Sequence, residues 1–502
     1  MNASLRRRAF FDQANPAPFD VAIIGGGING ACLFHHLCKA GYRVLLVDQG
    51  DFASGTSQAS AMMIWGGLLY LSTLDFATVL QLSASRNRLV RDMPDSVQRL
   101  KFRYLSARKG GRNLAFVHFV LYLYWLLGFC RSDRPYHERI FSEVSLFKTG
   151  GFQDSLIYEE AGVAISDSRF VLGWILPNQN EHNVPINHCK LTGGAYDASA
   201  RTWRLELKDQ LSGNELMARA RVVVNAAGVW TDELNASFSI ETPYRHVLAK
   251  GVFLGLRRSP DLQVPVIIDG GKYSDCLSLI PWGPISLWGP TETTVNELRS
   301  GFAVNSEDVR FLLNQINRHA ARTITAKDIV SLRCGVRPLV VEKFHPGNGP
   351  TLQISRHHRN WRDSHRPWIS VYGGKLTSCV SIARKILEMI MSEIQPALAA
   401  REETCSTEVE WSTFPGLSDK VPSPSWCMEN EMCWTLDDYL RRRTNIAQWI
   451  PRGGLGESDE NLPQLKKIAS AFCNGDTKRA DGALDVYRQK IQTGFDSVLS
   501  QC

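Results

Sequence analysis

Phe19-Asp20-Val21-Ala22-Ile23-Ile24-Gly25-Gly26-Gly27-Ile28-Asn29-Gly30 decides how this chain begins to fold. A short apolar strand runs into a glycine-rich turn, and a helix-like run then continues to about residue 41. A second apolar strand, Tyr42-Arg43-Val44-Leu45-Leu46-Val47, closes on Asp48. Together these make G-x-G-x-x-G inside a βαβ unit with an acid at its end, the pattern of a dinucleotide site. Gly25 permits the sharp turn, Gly27 lets the backbone approach a pyrophosphate, and Gly30 lets the helix pack close to the strand. Ile28 and Asn29 then lie at a helix N-terminus, where unpaired N–H groups and the helix dipole favour anions. Asp48 is expected to accept hydrogen bonds from a ribose diol.

The rest of the composition narrows the class without naming it. The chain has 502 residues, a net charge of +7, 44% hydrophobic and 21% charged residues. These values exclude a disordered, collagen-like or disulfide-knotted chain and predict two to four domains. The mild positive charge does not suit a dedicated nucleic-acid binder. No two of the 12 cysteines are spaced C-x-x-C. A zinc ribbon, an iron–sulfur cluster and a disulfide scaffold are therefore unsupported, and no metal is expected. Arg6-Arg7-Arg8 are followed by Ala9-Phe10-Phe11-Asp12-Gln13, too short and polar for a signal-peptide core. A cytoplasmic location is the expectation. We find no internal repeat.

Three later motifs carry further chemistry. Val222-Val223-Val224 ends in Asn225-Ala226-Ala227-Gly228, placing small residues at a strand terminus where a flat ligand can approach the backbone. Gly373-Gly374-Lys375 precedes Leu376-Thr377-Ser378 and a run with Ile382, Ile386 and Ile390 at helical spacing. Thr377 or Ser378 is expected to cap that helix. Arg337 lies between Cys334-Gly335-Val336 and Pro338-Leu339, and a guanidinium among apolar neighbours needs an anionic partner.

More segments join these: Gln49-Gly50-Asp51-Phe52-Ala53-Ser54-Gly55-Thr56-Ser57, Gly66-Gly67-Leu68-Leu69-Tyr70-Leu71, Val229-Trp230, Leu248-Ala249-Lys250-Gly251 and Gly289-Pro290-Thr291-Glu292. Glu431-Met432 and Thr435-Leu436-Asp437-Asp438-Tyr439-Leu440-Arg441-Arg442-Arg443-Thr444 follow near the C-terminus. With these motifs in order, most of the chain resembles the FAD-dependent glycerol-3-phosphate dehydrogenases, within the D-amino-acid-oxidase-like flavoproteins. The resemblance implies FAD as cofactor, contacted by Gly25, Gly27, Ile28, Asn29, Gly30, Asp48 and Gln49 in the first unit. It adds Ser54, Gly55, Thr56, Ser57, Gly66 and Gly67, then Ala227, Gly228 and Trp230, and finally Gly374, Lys375, Leu376 and Thr377. It implies that Arg337 faces the substrate, that Lys375 stabilises negative charge developing on the flavin, and that Tyr70 orients the substrate.

The fold expected is α/β: a doubly wound FAD-binding domain interleaved with an antiparallel-sheet substrate domain, plus a small helical C-terminal domain. The oxidoreductase region spans 19–400, with FAD-binding segments at about 19–95, 150–240 and 330–395. Substrate and cap segments fall at about 96–150 and 241–329, and 401–502 form the helical domain. Alternating apolar residues in 247–256 and 275–288 suit strands of the second sheet. Arg441, Arg442 and Arg443 read as a solvated helix face.

Several substrate-facing positions depart from the family. Its lysine, histidine and arginine after S-G-T-S are here Met62, Trp65 and Leu69, and the histidine of its K-G-S-H is Phe253. A phosphate dianion needs several charge-assisted donors, so Trp65, Leu69 and Phe253 predict weaker phosphate binding. Transfer of a hydride from a CH–OH carbon to flavin is the leading function, with glycerol 3-phosphate oxidised to dihydroxyacetone phosphate and quinone as acceptor. One alternative keeps the flavin with a less anionic substrate: a hydroxy acid, amino acid or larger metabolite. Another is a flavin-binding protein without catalysis. The catalytic base is unassigned.

Residues 114–129 form a nearly unbroken apolar run with His118 its one strongly polar member. Arg103, Arg108, Lys109 and Arg112 precede it, and Arg131 and Arg134 follow. Sixteen residues are short of the ~20 needed to span a bilayer. The residues suit equally a helix lying in an interface and a buried cap helix. The resemblance favours the first, giving a membrane surface contacted through 103–134 on the inner face.

Overall fold

The computed structural model describes residues 2–13, 17–108, 111–138, 145–148, 151–269, 276–296, 298, 302–344, 357–396, 398 and 408–502. Lys109 and Asp275 lie outside these. Every residue of the strands Phe19–Ile24 and Val44–Val47 is buried. Continuous apolar runs of this kind suit central strands of a parallel sheet, which are covered on both faces. Among the described residues the first sheet has eight strands. Trp368–Tyr372, Glu215–Asn225, Phe19–Ile24, Val44–Val47 and Val184–Ile186 run parallel in that spatial order. Arg359–Arg362 adds antiparallel at one edge, and Cys189–Asp197 and Thr202–Asp209 extend Glu215–Asn225 as an antiparallel hairpin.

Helices Ile28–Lys39 and Cys379–Met391 pack together on one face, joined by Asp167–Ile175. The other face is closed by helix Ala3–Phe11 and by the hairpin, where Trp203 meets Trp368 edge-on at 5.2 Å between centroids.

The second sheet has ten strands among the described residues. Its spine pairs Tyr244–Arg257 with Ile329–Glu342 over nearly their whole length. It is antiparallel except where Val266–Asp269 runs parallel to Val97–Ala107. Phe152–Val163 and Ile329–Glu342 fall in segments expected to bind FAD, yet both belong to this second sheet. Strand propensity is local, whereas sheet membership is fixed by nonlocal pairing that no single segment displays. Of the 275–288 segment, the described residues form the strand Leu277–Trp282 and most of the strand Ile285–Gly289, joined by a tight turn. Helix Ser306–Asn317 covers this sheet. A capping box between Asn305 and Asp308 starts it, and Val309, Leu312, Leu313 and Ile316 face inward.

The C-terminal region has its own apolar core around Leu440, Ile446, Leu455, Leu465 and Tyr439. Within the 401–502 segment expected to be helical, Asp438–Arg443 forms a π-helical turn and Ile446–Trp449 a short helix. The expectation that Arg441, Arg442 and Arg443 form a solvated face is wrong: Arg441 is half-buried and donates to the Gln58 carbonyl at 3.2 Å. Arg442 is 4% exposed and Arg443 is 1% exposed, both within ion pairs. The three arginines resemble a surface run because Asp51, which Arg442 and Arg443 share, lies nearly four hundred residues away.

Candidate active site

The glycine turn closes because its neighbours leave no room for side chains. Gly25 has φ +110°, and a Cβ there would lie 2.5 Å from the Ala226 carbonyl oxygen. A Cβ on Gly30 would lie 1.9 Å from the Gly25 oxygen. Gly228, at the end of the neighbouring parallel strand, faces open space. The Ile28 amide donates to Ser57 Oγ at 3.0 Å, bringing the serine of the 54–57 loop to the helix N-terminus. Asn29 donates from Nδ2 to the Gly373 carbonyl at 2.9 Å, while its buried Oδ1 has no donor among the described residues. Half-buried Asp48 accepts from the Gly26 amide at 2.7 Å and the Gly50 amide at 2.9 Å. Burial pushes its carboxyl up to about 6, against the pull of those two amides. Gln49 is exposed.

The loop after Asp48 folds back over this turn. Thr56 Oγ1 donates to the Val336 carbonyl at 2.5 Å, and Gly55 lies under the Trp230 ring, which stacks on Phe302 at 5.7 Å. The Gly66 amide donates to Glu160 at 3.0 Å, and Ser83 donates to the Gly66 carbonyl at 3.1 Å. Glu160 is in turn paired with Arg86 at 2.8 Å and accepts from Tyr124 at 2.6 Å. This buried set ties Gly66-Gly67 to the 114–127 helix. The sequence carried no signal for it beyond the residues themselves.

Gly373-Gly374-Lys375 faces the same region. Lys375 Nζ donates to the Tyr70 hydroxyl at 2.6 Å and lies 4.4 Å from its ring centroid. Ser378 stands at the N-cap position of the Cys379–Met391 helix, but neither its hydroxyl nor that of Thr377 makes a capping bond. Thr377 Oγ1 donates to the Trp65 carbonyl at 3.0 Å, and Ser378 Oγ accepts from the Lys375 amide at 2.9 Å, closing the tight Leu376–Ser378 turn instead. Leu376 is buried.

Arg337 stands opposite Ala249 in the long strand pair, its guanidinium lying against Gly251 and 3.6 Å from Glu292. The side chain is 26% exposed, so it meets both its expected anionic partner and the solvent side.

The departures have definite places. Met62 is buried, and its sulfur accepts from the Asp167 amide at 3.3 Å. Trp65 is half-buried against Phe102 at 5.3 Å. Phe253 is buried in the core. Leu69 is 67% exposed and reaches solvent from the Leu68–Thr73 turn. Lys250 is buried in an ion pair with Asp308 at 2.6 Å, which joins the second sheet to its covering helix. His246 is buried 3.4 Å from Asp232 and accepts from the Gly373 amide at 3.3 Å, supporting the glycine turn.

Beside Tyr70 and Lys375 opens a cleft of about 110 Å³, also lined by Thr78, Gln81, His357, His358, Arg359 and Lys385. An outer basin of about 520 Å³ shares His358, Arg359 and Lys385 with it. His357 lies 3.2 Å from Asp75. Burial, with Lys385, His357, Arg359 and Lys375 nearby, holds His358 down at about 4. Three cations, Arg359, Lys375 and Lys385, therefore line the cleft beside polar and neutral side chains.

A turn stripped of side chains, a buried acceptor on Asn29 and an acid with two further lone pairs fit a dinucleotide, so fold and site define a dinucleotide-binding protein. Comparison with known proteins fixes which kind: residues 20–379 match the family described as FAD dependent oxidoreductase, and the chain belongs to that family. FAD is its cofactor. The chain is similar to the aerobic glycerol-3-phosphate dehydrogenase of Staphylococcus saprophyticus subsp. saprophyticus, 27% identical over 413 residues, 81% of this chain and 73% of that protein. The Staphylococcus epidermidis protein of the same name is 28% identical over 415 residues, with the same coverage. Among solved structures, glycerol-3-phosphate dehydrogenase from Bacillus halodurans complexed with FAD superposes with a TM-score of 0.71 at 18% identity, covering 98% of both chains. L-alpha-glycerophosphate oxidase from Mycoplasma pneumoniae superposes at 0.54 and 14% identity, over 75% of this chain and 95% of that one.

Proposed function

We propose that the chain oxidises the CH–OH carbon of a small phosphate-bearing alcohol, glycerol 3-phosphate being the best fit, and passes the electrons on to a quinone. The observation that carries this reading is the cationic cleft opening on Tyr70 and Lys375. Arg359 and Lys385 line it and offer cations where the family's arginine is replaced by solvent-facing Leu69. Arg337 holds the anionic end of the substrate, and its guanidinium fork suits phosphate oxygens. Tyr70, fixed by Lys375, orients the hydroxyl-bearing carbon. Bound FAD supplies the two-electron acceptor that takes the hydride. Lys375 adds positive charge beside that acceptor, and the Gly373-Gly374 turn keeps the backbone close to it. The relatives' names agree with this substrate. A less anionic substrate is the second reading, favoured by Met62 and Phe253 standing where the family carries a lysine and a histidine. Glycerol 3-phosphate, and not glycerol, should reduce the bound cofactor; equal reduction by both would remove phosphate recognition from the account.

The same reading brings the chain to a membrane surface. No helix among the described residues is long and apolar enough to cross a membrane. The Leu114–Leu127 helix buries Val117, Leu121 and Tyr124 and turns Phe116, Phe119, Tyr122 and Leu126 outward. Exposed Arg108, Arg131 and Arg134 flank it. Arg103 and Arg112 do not belong to this flank: Arg103 is buried against Glu138, and Arg112 pairs with Asp269 at 2.7 Å. An aromatic outer stripe between cations suits anionic headgroups. We expect cosedimentation with anionic vesicles that falls at least tenfold in the double variant Phe116→Ser and Phe119→Ser. Retention of the parent chain in the supernatant with anionic vesicles would contradict this.

A further inference from the structure

We propose that the C-terminal helical domain sets how tightly FAD is held, because its arginines fix both ends of the loop from Asp51 to Gln58. Asp51 is 1% exposed and lies three residues beyond the ribose-facing acid. Arg443 grips both its oxygens, at 2.7 and 2.8 Å, and also donates to the Glu431 and Met432 carbonyls. Arg442 donates from Nε to Asp51 at 2.6 Å and from Nη1 to the Gln58 side chain at 3.1 Å. Arg441 reaches the Gln58 carbonyl at 3.2 Å.

Between these anchors lie Ser54, Gly55, Thr56 and Ser57. Ser57 reaches the Ile28 amide at the helix N-terminus, Ala53 donates its amide to the Gly26 carbonyl at 3.0 Å, and Thr56 is tied to Val336. The loop is thus stretched between the glycine turn on one side and the C-terminal arginines on the other. Asp51, His188 and Asp438 come close enough to suggest a metal site. Instead, Asp51 is filled by guanidinium and by Asn187 Nδ2 at 2.7 Å, and Asp438 by Arg442 and His188. The cluster is an interdomain joint. A loop ordered before the cofactor arrives does not have to be ordered by it, so releasing either anchor should cost affinity for FAD.

Arg442→Met and Gln58→Ala separate this role from folding. In Arg442→Met, Asp51 retains both bonds from Arg443; Gln58→Ala removes the acceptor for Arg442 together with the Nε2 bond to the Ser54 carbonyl within the loop, and keeps the main-chain acceptor for Arg441. FAD is titrated into apoprotein made from the full-length chain, the parent first, and unfolding midpoints are recorded with and without FAD. Each variant should raise the FAD Kd at least tenfold and shrink the rise in midpoint that FAD produces. The double variant should be no more than threefold worse than the weaker single one, since both substitutions release the same loop. Arg442→Lys, which keeps the charge at Asp51, should recover part of the loss. A Kd within twofold of the parent in the two single variants would overturn the proposal. If Arg442→Met does not fold, Gln58→Ala decides by the same criterion.

Discussion

Gly30→Ala should yield a chain that purifies without FAD. The new methyl carbon would lie 1.9 Å from the Gly25 carbonyl oxygen and 3.3 Å from Ile23, so the helix must move away from the strand. Gly25 cannot yield, because it is itself held against Ala226, and a Cβ in its place would meet that carbonyl at 2.5 Å. Displacing the helix takes its first amides away from Ser57 and from the phosphate position. Overpacking of this kind costs about 1–3 kcal/mol in stability, which a chain with five separate apolar clusters among the described residues should survive. The expected result is a folded protein whose flavin absorbance per mole falls at least tenfold and is not restored by micromolar FAD. A Gly30→Ala protein with the parent's flavin content would show that the cofactor does not rest on this turn.

Arg337→Met should weaken use of a phosphate-bearing alcohol by about 100- to 1000-fold in kcat/KM, mostly through KM. The guanidinium can make two charge-assisted hydrogen bonds to a phosphate, together worth about 3–4 kcal/mol at the lower end of the range for bonds to charged groups, and methionine makes neither. Flavin content should match the parent, since Arg337 stands in the second sheet beside Gly251 and Glu292. Arg337→Lys should recover only a small part, because an ammonium does not reproduce the planar fork. Steady-state kinetics with glycerol 3-phosphate decide this; a loss below fivefold would move the anion site away from Arg337 to the cleft lined by Arg359 and Lys385.

The parts of this molecule legible from sequence are those made by neighbours in the chain. Gly25 to Asp48 form one local unit, and turn, helix start and terminal acid all read correctly from residue spacing. Gly373-Gly374-Lys375 was legible as a turn before a helix. Its capping was not, because Thr377 spends its hydroxyl on Trp65, a residue three hundred positions away. The same nonlocality hid the buried state of Arg442 and Arg443, whose partner lies in the loop after the second strand. Leu69 was placed in the pocket by correspondence with a family position, yet the turn that carries it points it at solvent. Lys250 matches a family motif as well, and the structure commits it to Asp308. A motif can identify a segment; the distant pairing of a side chain decides what that segment does.

An anaerobic absorbance spectrum of the purified chain, before and after adding glycerol 3-phosphate, tests most directly whether this flavoprotein takes a hydride from a phosphate-bearing alcohol. The flavin band should be present from the start, bleach on addition of glycerol 3-phosphate, and stay unchanged with glycerol. A band that persists with glycerol 3-phosphate while dithionite bleaches it would leave the cofactor in place and contradict the substrate.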